Sequence, residues 1–263
     1  MRCLALVVAV FVFCPPASAE QFDCLVAPRQ VADLAFGTNG LVDRLLVDRG
    51  NSARKGDILA YLDSSVETAN VAIAKERLTE IAALETARAQ LVAAESKYHR
   101  TQTLESKQIM ATSKLEEAEA EYKSAMLKVV EQEEAQRLKV LDLHRAEAIL
   151  ALRRIVSPFD GYIVERHVSP GEYVENRKAL TIAELDPVYA DVILPSNWFA
   201  HVKAGQPVKV LLQQPEGLTI DAQTAVIDPY VDGASGTFRV RLVMTNPGLK
   251  IVPGFRCRAE FVR

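Results

Sequence analysis

The chain has 263 residues, a formal net charge of −3 and 25% charged residues, enough length to bury a real core without being obliged to form one compact ball. Its Lys and Arg gather into no basic stripe, and the slightly acidic balance would repel a phosphate backbone, so nucleic-acid binding is set aside. In chain order, Arg2, the apolar run Leu4 to Phe13 and the small-residue site Ala17-Ser18-Ala19 read as a secretory signal over residues 1–19, cleaved near Ala19. The run is shorter than the roughly 20 apolar residues a membrane span needs, and no later segment approaches that length, so the mature chain is expected to be soluble. Cys14 is a poor lipidation site because bulky Phe13 precedes it, and no lipid anchor is expected.

Two of the four cysteines, Cys24 and Cys257, survive cleavage, in a compartment that permits disulfides. A bridge between them is the favoured reading and two small buried thiols the alternative. With no histidine nearby, a catalytic or metal role is disfavoured.

An internal repeat follows. Gly40-Leu41-Val42-Asp43-Arg44-Leu45-Leu46-Val47-Asp48-Arg49-Gly50 lies without gaps on Gly161-Tyr162-Ile163-Val164-Glu165-Arg166-His167-Val168-Ser169-Pro170-Gly171. At the same offset Ala53 meets Val174, Leu59 meets Leu180 and Asp63 meets Glu184, with apolar residues alternating as strands require. Each copy reads as strand, glycine turn and strand, which assigns Gly40, Gly50, Gly161 and Gly171 as structural turn residues. Two such halves, each too small to fold alone, are expected to close on one another as one β-sandwich.

Between the halves, Ser65 to Arg153 contains neither proline nor glycine and is dominated by Ala, Glu, Lys, Gln and Leu, the composition of helix. Heptad spacing runs through Leu84, Leu91 and Tyr98, with Ile81, Ala87 and Ala94 between them, and returns at Leu115, Tyr122, Val129, Gln136, Leu143 and Leu150. The one weak point, Ile109 to Ser113, predicts a turn, with Thr112 and Ser113 capping a second helix and Glu116 as the capping-box partner. Two arms of nearly equal length result, each extending about 60 Å. After Asp186-Pro187 come short strands at Val188–Leu194, Val208–Leu212, Thr224–Ile227, Thr237–Met244 and Phe255–Val262, with Phe238, Val240, Leu242 and Met244 on one face and Phe255, Cys257, Ala259 and Phe261 on another, as in a small β-barrel.

These segments resemble the membrane fusion protein family, the periplasmic adaptors of resistance-nodulation-division (RND) pumps and related ABC exporters. The likeness rests on Val47-Asp48-Arg49-Gly50 with Lys55-Gly56-Asp57-Ile58-Leu59-Ala60-Tyr61-Leu62-Asp63, on Ile155-Val156-Ser157-Pro158-Phe159-Asp160-Gly161-Tyr162-Ile163, and on Gly236-Thr237-Phe238-Arg239-Val240-Arg241 followed by Asn246-Pro247 and Pro253-Gly254. It implies an α+β fold: a lipoyl-like β-sandwich split by a long antiparallel coiled-coil hairpin, then a β-barrel domain. The divisions are 20–63 for an N-terminal strand and first half-lipoyl motif, 64–154 for the hairpin, 155–186 for the second half, and 187–263 for the barrel. The resemblance further implies a periplasmic protein, peripheral to the inner membrane, that assembles as a hexamer or trimer of dimers between an inner-membrane transporter, RND type favoured, and an outer-membrane channel of the TolC type. Channel contact falls on Arg100, Leu104 and Ala111, although the family pattern has Ser where Ala111 stands. The motif begins soon after the expected cleavage site, so a membrane-proximal domain is expected to be absent, with a Cys24–Cys257 bridge holding the two ends together.

The resemblance implies assembly, not chemistry: no cofactor and no catalytic residue is expected. His99, His144, His167 and His201 lie far apart with no ligand spacing, and Met110, Met126 and Met244 form no tract for a soft metal, so no metal site is expected. Paired carboxylates such as Glu133-Glu134 read as a solvated helix face. A lipoyl or biotin carrier would need one modifiable lysine in the turn that the helical segment here replaces, and an adaptor of an ABC-type exporter remains the nearer alternative.

Overall fold

The computed structural model describes residues 19–214 and 217–262; the segment expected to be a secretory signal, with Cys3 and Cys14, lies outside the described residues apart from Ala19. The chain runs β1 (Ala19–Leu34), β2 (Gly40–Leu45), β3 (Ser52–Ala53), β4 (Ile58–Leu62), α1 (Ser65–Thr79), α2 (Ala82–Ser106), α3 (Thr112–Ala151), β5 (Arg154–Val156), β6 (Gly161–Arg166), β7 (Tyr173–Val174), β8 (Leu180–Pro195), a single 3₁₀ turn (Ser196–Trp198), β9 (Pro207–Leu212), β10 (Thr219–Ile227), β11 (Thr237–Met244) and β12 (Arg256–Val262).

The repeat seen in sequence is a repeat of strands, and each copy is completed by the other. β2 pairs with β7 through Gly40 and Val174, and its counterpart β6 pairs with β3 through Gly161 and Ala53. Four backbone hydrogen bonds obey the same two-fold relation: the Val42 N–H donates to the Glu172 carbonyl at 2.8 Å as the Ile163 N–H does to Asn51 at 2.9 Å, while Gly171 donates to Val42 and Gly50 to Ile163, both at 2.8 Å. Neither half satisfies its own backbone, so neither is stable without the other. The relation also extends further back than the sequence motif, because β5 pairs with β4 as the end of β1 pairs with the start of β8. The equivalent residues Val42 and Ile163, Ala53 and Val174, and Leu59 and Leu180 are all buried in the resulting core.

The four glycines divide into two roles. Gly50 and Gly171 have φ of 86° and 80°, a left-handed turn conformation that a Cβ disfavours. Gly40 and Gly161 open β2 and β6 instead of making turns. They are glycine for lack of room: a Cβ on Gly161 would stand 2.5 Å from the Ala183 carbonyl oxygen, and one on Gly40 would stand 2.6 Å from an Arg153 nitrogen and 3.2 Å from Leu62.

The helical segment breaks twice, not once. Besides the turn at 107–111, the first arm is interrupted at Glu80–Ile81, where Glu80 leaves helical geometry at ψ 88°. Capping at the turn also differs from expectation: extended Ala111 precedes α3, Thr112 is already helical, and the Thr112 hydroxyl meets Glu105 Oε1 at 3.4 Å in place of a backbone N–H. The 40 residues of α3 give a rod about 60 Å long at 1.5 Å per residue. No helix among the described residues is long and apolar enough to cross a membrane.

The remaining strands close a barrel in the order β1-β12-β9-β10-β11-β8, completed by β1 against β8. Its interior is lined by Phe238, Val240, Leu242, Met244, Cys257, Ala259 and Phe261, with Trp198 from the 3₁₀ turn, all nearly inaccessible. On the outer face Arg241 donates to both oxygens of Asp191 on the next strand, at 2.8 and 3.1 Å, and lies over the Tyr189 ring; the Asp191 hydrogen bond raises the guanidinium above its ordinary value. Asn246, buried between β11 and β12, donates to the Leu185 and Ile251 carbonyls and accepts from the Ile251 N–H, each at 2.8 Å.

β1 and β8 are each 16 residues long and pass through both cores, which sequence reading divided at residues 186 and 187. They pair from Cys24–Val192 to Leu34–Leu180 with one irregularity between Pro28 and Gln30. Cys24 and Cys257 face each other across β1 and β12, their Cα atoms 4.8 Å apart, and form a disulfide over a sequence separation of 233.

Two stability predictions follow from this geometry. Gly161→Ala should cost about 1–3 kcal/mol, since backbone must move to admit the methyl, whereas Gly50→Ala should cost about 1–2 kcal/mol for the left-handed backbone alone. Urea unfolding checks the ordering. Replacing Cys24 and Cys257 by Ser together should lower stability by about 2–4 kcal/mol, read by the same method in non-reducing buffer.

Candidate functional site

The arms spring from neighbouring paired strands: β4 ends where α1 begins, β5 begins where α3 ends, and Tyr61 pairs with Arg154 at their base. The helical segment is thus the extended tip of a β-hairpin. Cross-arm contacts hold an antiparallel register throughout. From base to tip they are Arg153 Nη2 to Glu67 Oε1 at 2.6 Å, Arg88 Nη2 to Glu133 Oε1 at 3.2 Å, Lys97 Nζ to Glu121 Oε2 at 2.6 Å, and the Tyr98 and Tyr122 rings stacked 5.7 Å apart at 10°. The exposed pairs fix register more than they stabilise. Arg88 is held above its ordinary pKa by the hydrogen bond to Glu133.

Between the arms the shielded residues follow a heptad. On α3 they are Leu115, Ala118, Tyr122, Ala125, Val129, Gln132, Gln136, Lys139, Leu143, Ala146 and Leu150, and on α2 they are Leu84, Ala87, Leu91, Ala94, Tyr98, Thr101 and Glu105, with Glu95, Leu104 and Glu119 half-buried at the edge. The pattern of large and small residues lets the helices approach closely.

At the far end, Arg100 is exposed, Leu104 is half-buried at the edge of the α2 seam, and Ala111 is exposed just before α3. The Ile109 N–H donates to the Leu104 carbonyl at 3.0 Å and Gln108 takes φ 58°, so the chain reverses within a few residues and keeps Leu104 beside the turn. This exposes Ile109 and Met110, at 69% and 36%, which sequence reasoning did not single out. The available signal was phase: neither lies on the heptad of Leu84, Leu91 and Tyr98, whose next position is Glu105.

At the root, Arg153 joins three segments. Its guanidinium donates to Glu67 on α1 and, at 3.2 Å, to the Asn39 carbonyl ahead of β2, and it lies against Gly40. Both partners are mostly shielded, with side-chain exposures of 22% and 12%. Asp63 accepts the Ser65 N–H at 3.1 Å at the start of α1, and hydrogen bonds from the Ser65 backbone and side chain hold its carboxyl below the ordinary value.

The histidines do not converge. His167 Nε2 lies 2.9 Å from Thr181 Oγ1, the His201 ring packs edge-on against Trp198, His99 lies beside Tyr98, and His144 is exposed on α3. Among the described residues no group of three or more His, Cys, Asp or Glu is placed to hold a metal ion.

Comparison with known proteins matches residues 30–184 to the CzcB-like, barrel-sandwich hybrid domain and residues 187–263 to the CusB-like, beta-barrel domain. Among curated proteins, the multidrug efflux pump subunit AcrA of Escherichia coli K12 is 25% identical over 88% of this chain and 59% of its own length. The cobalt-zinc-cadmium resistance protein CzcB of Cupriavidus metallidurans is 24% identical over 82% of this chain and 39% of its own. The chain therefore spans about half the length, or less, of the curated relatives it matches. Among solved structures, MacA from Actinobacillus actinomycetemcomitans superposes with a TM-score of 0.74 at 23% identity, covering 94% of this chain and 79% of that one.

The shielded ion pair at the root yields a prediction of its own. Arg153→Met should cost about 2–3 kcal/mol, because it leaves Glu67 without its partner in a shielded site, and adding Glu67→Gln should restore part of the loss. A double-mutant cycle by urea unfolding measures the coupling.

Proposed function

The chain belongs to the membrane fusion protein family, built on a barrel-sandwich hybrid and a β-barrel, and from that premise we propose that it is a periplasmic adaptor, linking an inner-membrane transporter of the RND type to an outer-membrane channel of the TolC type. The observation that carries this reading is geometric. A helical insertion about 60 Å long rises from one β-hairpin of a closed sandwich, and a barrel is joined to that sandwich by the two long strands β1 and β8. Such a body has two distant ends, which suits bridging.

In this reading residues 20–63 and 155–186 form the ring-building module, 64–154 is the coiled-coil hairpin that gives reach, and 187–263 is the barrel that meets the transporter. Self-association, as a hexamer or trimer of dimers, supplies the conduit, and cargo passes through it without a dedicated pocket on one protomer. Arg100, Leu104 and Ala111 form the channel contact, with the adjoining Ile109 and Met110 enlarging the apolar surface offered. The signal at residues 1–19 delivers the chain to the periplasm.

Two experiments test this. A pull-down with the mature protein from detergent-solubilised envelope should recover an inner-membrane transporter and an outer-membrane channel; recovery of neither overturns the adaptor reading. Leu104→Asp should abolish export while leaving secretion and folding intact, since it puts a charge into the proposed contact, far from both β cores. Unchanged export in the variant removes Leu104 from that contact.

A further inference from the structure

The two arms keep time differently. On α3 the shielded positions repeat every seven residues from Leu115 to Leu150 without a slip. On the opposite arm Ser64, just ahead of α1, and Glu67, Val71, Ala74 and Leu78 within it are shielded, and a seven-residue repeat would next bring in Ile81 and Glu85. Instead Ile81 is half-exposed and the seam resumes at Leu84 and Ala87. Leu78 and Leu84 are six residues apart, one short of a heptad. A one-residue slip rotates a continuous helix by about 100°, so the first arm must break to keep its apolar stripe facing α3, and it breaks at Glu80–Ile81.

The break takes the Leu78 and Glu80 carbonyls out of helical register, and α3 supplies their partners. Gln136 Nε2 donates to the Leu78 carbonyl at 2.8 Å, and Lys139 Nζ donates to the Glu80 carbonyl at 2.7 Å while standing 3.7 Å from the Glu80 carboxylate. Gln136 and Lys139 occupy two successive seam positions of α3, where the heptad otherwise favours apolar side chains. Their polarity is explained by what they face.

We propose that Glu80–Ile81 is a joint built into the first arm, latched by Gln136 and Lys139, at which the segment beyond it changes direction relative to the base. The latch suits a joint because it consists of two side chains donating to backbone oxygens. Such bonds form and release without unfolding either helix, whereas α3, unbroken opposite, keeps the arms in register. Its contribution to export rests on the adaptor reading; its existence does not.

The test uses the full chain, by amide hydrogen exchange read by mass spectrometry and by restoration of export in a strain lacking the gene. Gln136→Leu with Lys139→Leu should speed exchange across residues 76–85 at least fivefold while leaving the far half of α3 and the strands unchanged. Inserting one alanine between Glu80 and Ile81, which restores the seven-residue spacing, should slow exchange across the junction about tenfold and lower export with no loss of secreted protein. Unchanged exchange in both variants overturns the joint, whatever the fate of the adaptor reading. Slowed exchange in the insertion variant with full export shows the joint to be idle and overturns its functional half.

Discussion

The backbone pairing of β1 with β8 is the constraint on which the rest depends. The ladder from Cys24–Val192 to Leu34–Leu180 lies partly in the barrel and partly in the sandwich, so one pair of strands belongs to two cores. Strand pairing tolerates little freedom of register when a face is buried, because a slip of one residue would turn every inward side chain outward. The two cores are therefore fixed to one another by alternation along a shared ladder. The irregularity between Pro28 and Gln30 leaves that alternation in phase, since even-numbered residues face inward on both sides of it, Cys24 and Val26 in the barrel, Ala32 and Leu34 in the sandwich.

The sandwich shows a second use of shared backbone. Because β2 finds its partner in β7 and β6 finds its partner in β3, the helical arms cannot be detached from the fold by leaving one half behind. The distance between the halves in sequence is absorbed by equal arms: 42 residues separate the start of α1 from the end of α2, break included, and α3 has 40. Equal length returns the chain to the neighbouring strand, and Arg153 with Glu67 closes the base where it arrives.

Much of this was legible in the residues. The ungapped match from Gly40 to Asp63 with Gly161 to Glu184 located a strand on either side of each glycine turn, since alternation, glycine spacing and apolar identity agreed. The absence of glycine and proline located the arms. What was not legible had local causes. Gly40 and Gly161 serve close packing, which depends on what approaches from outside the motif, here Arg153 and Ala183. The turn was placed by the capping preference of Thr112 and Ser113, yet extended Ala111 holds the position before α3 and no side chain caps that helix. The break at Glu80 was written in the six-residue gap from Leu78 to Leu84, but only knowledge of which residues face α3 separates that gap from ordinary heptad scatter. At the tip, the exposure of Ile109 and Met110 depends on how tightly the chain reverses, which composition does not encode.

The disulfide has a consequence for order in time. Cys24 belongs to the first strand and Cys257 faces it from β12, so the closed loop between them holds both halves of the sandwich, both arms and most of the barrel. A chain made from its amino end onward can form every helix, and every strand as far as β11, before the second sulfur exists to be joined. Covalent closure therefore waits on Cys257, and in the native ladder it joins two residues that the pairing of β1 with β12 already sets face to face.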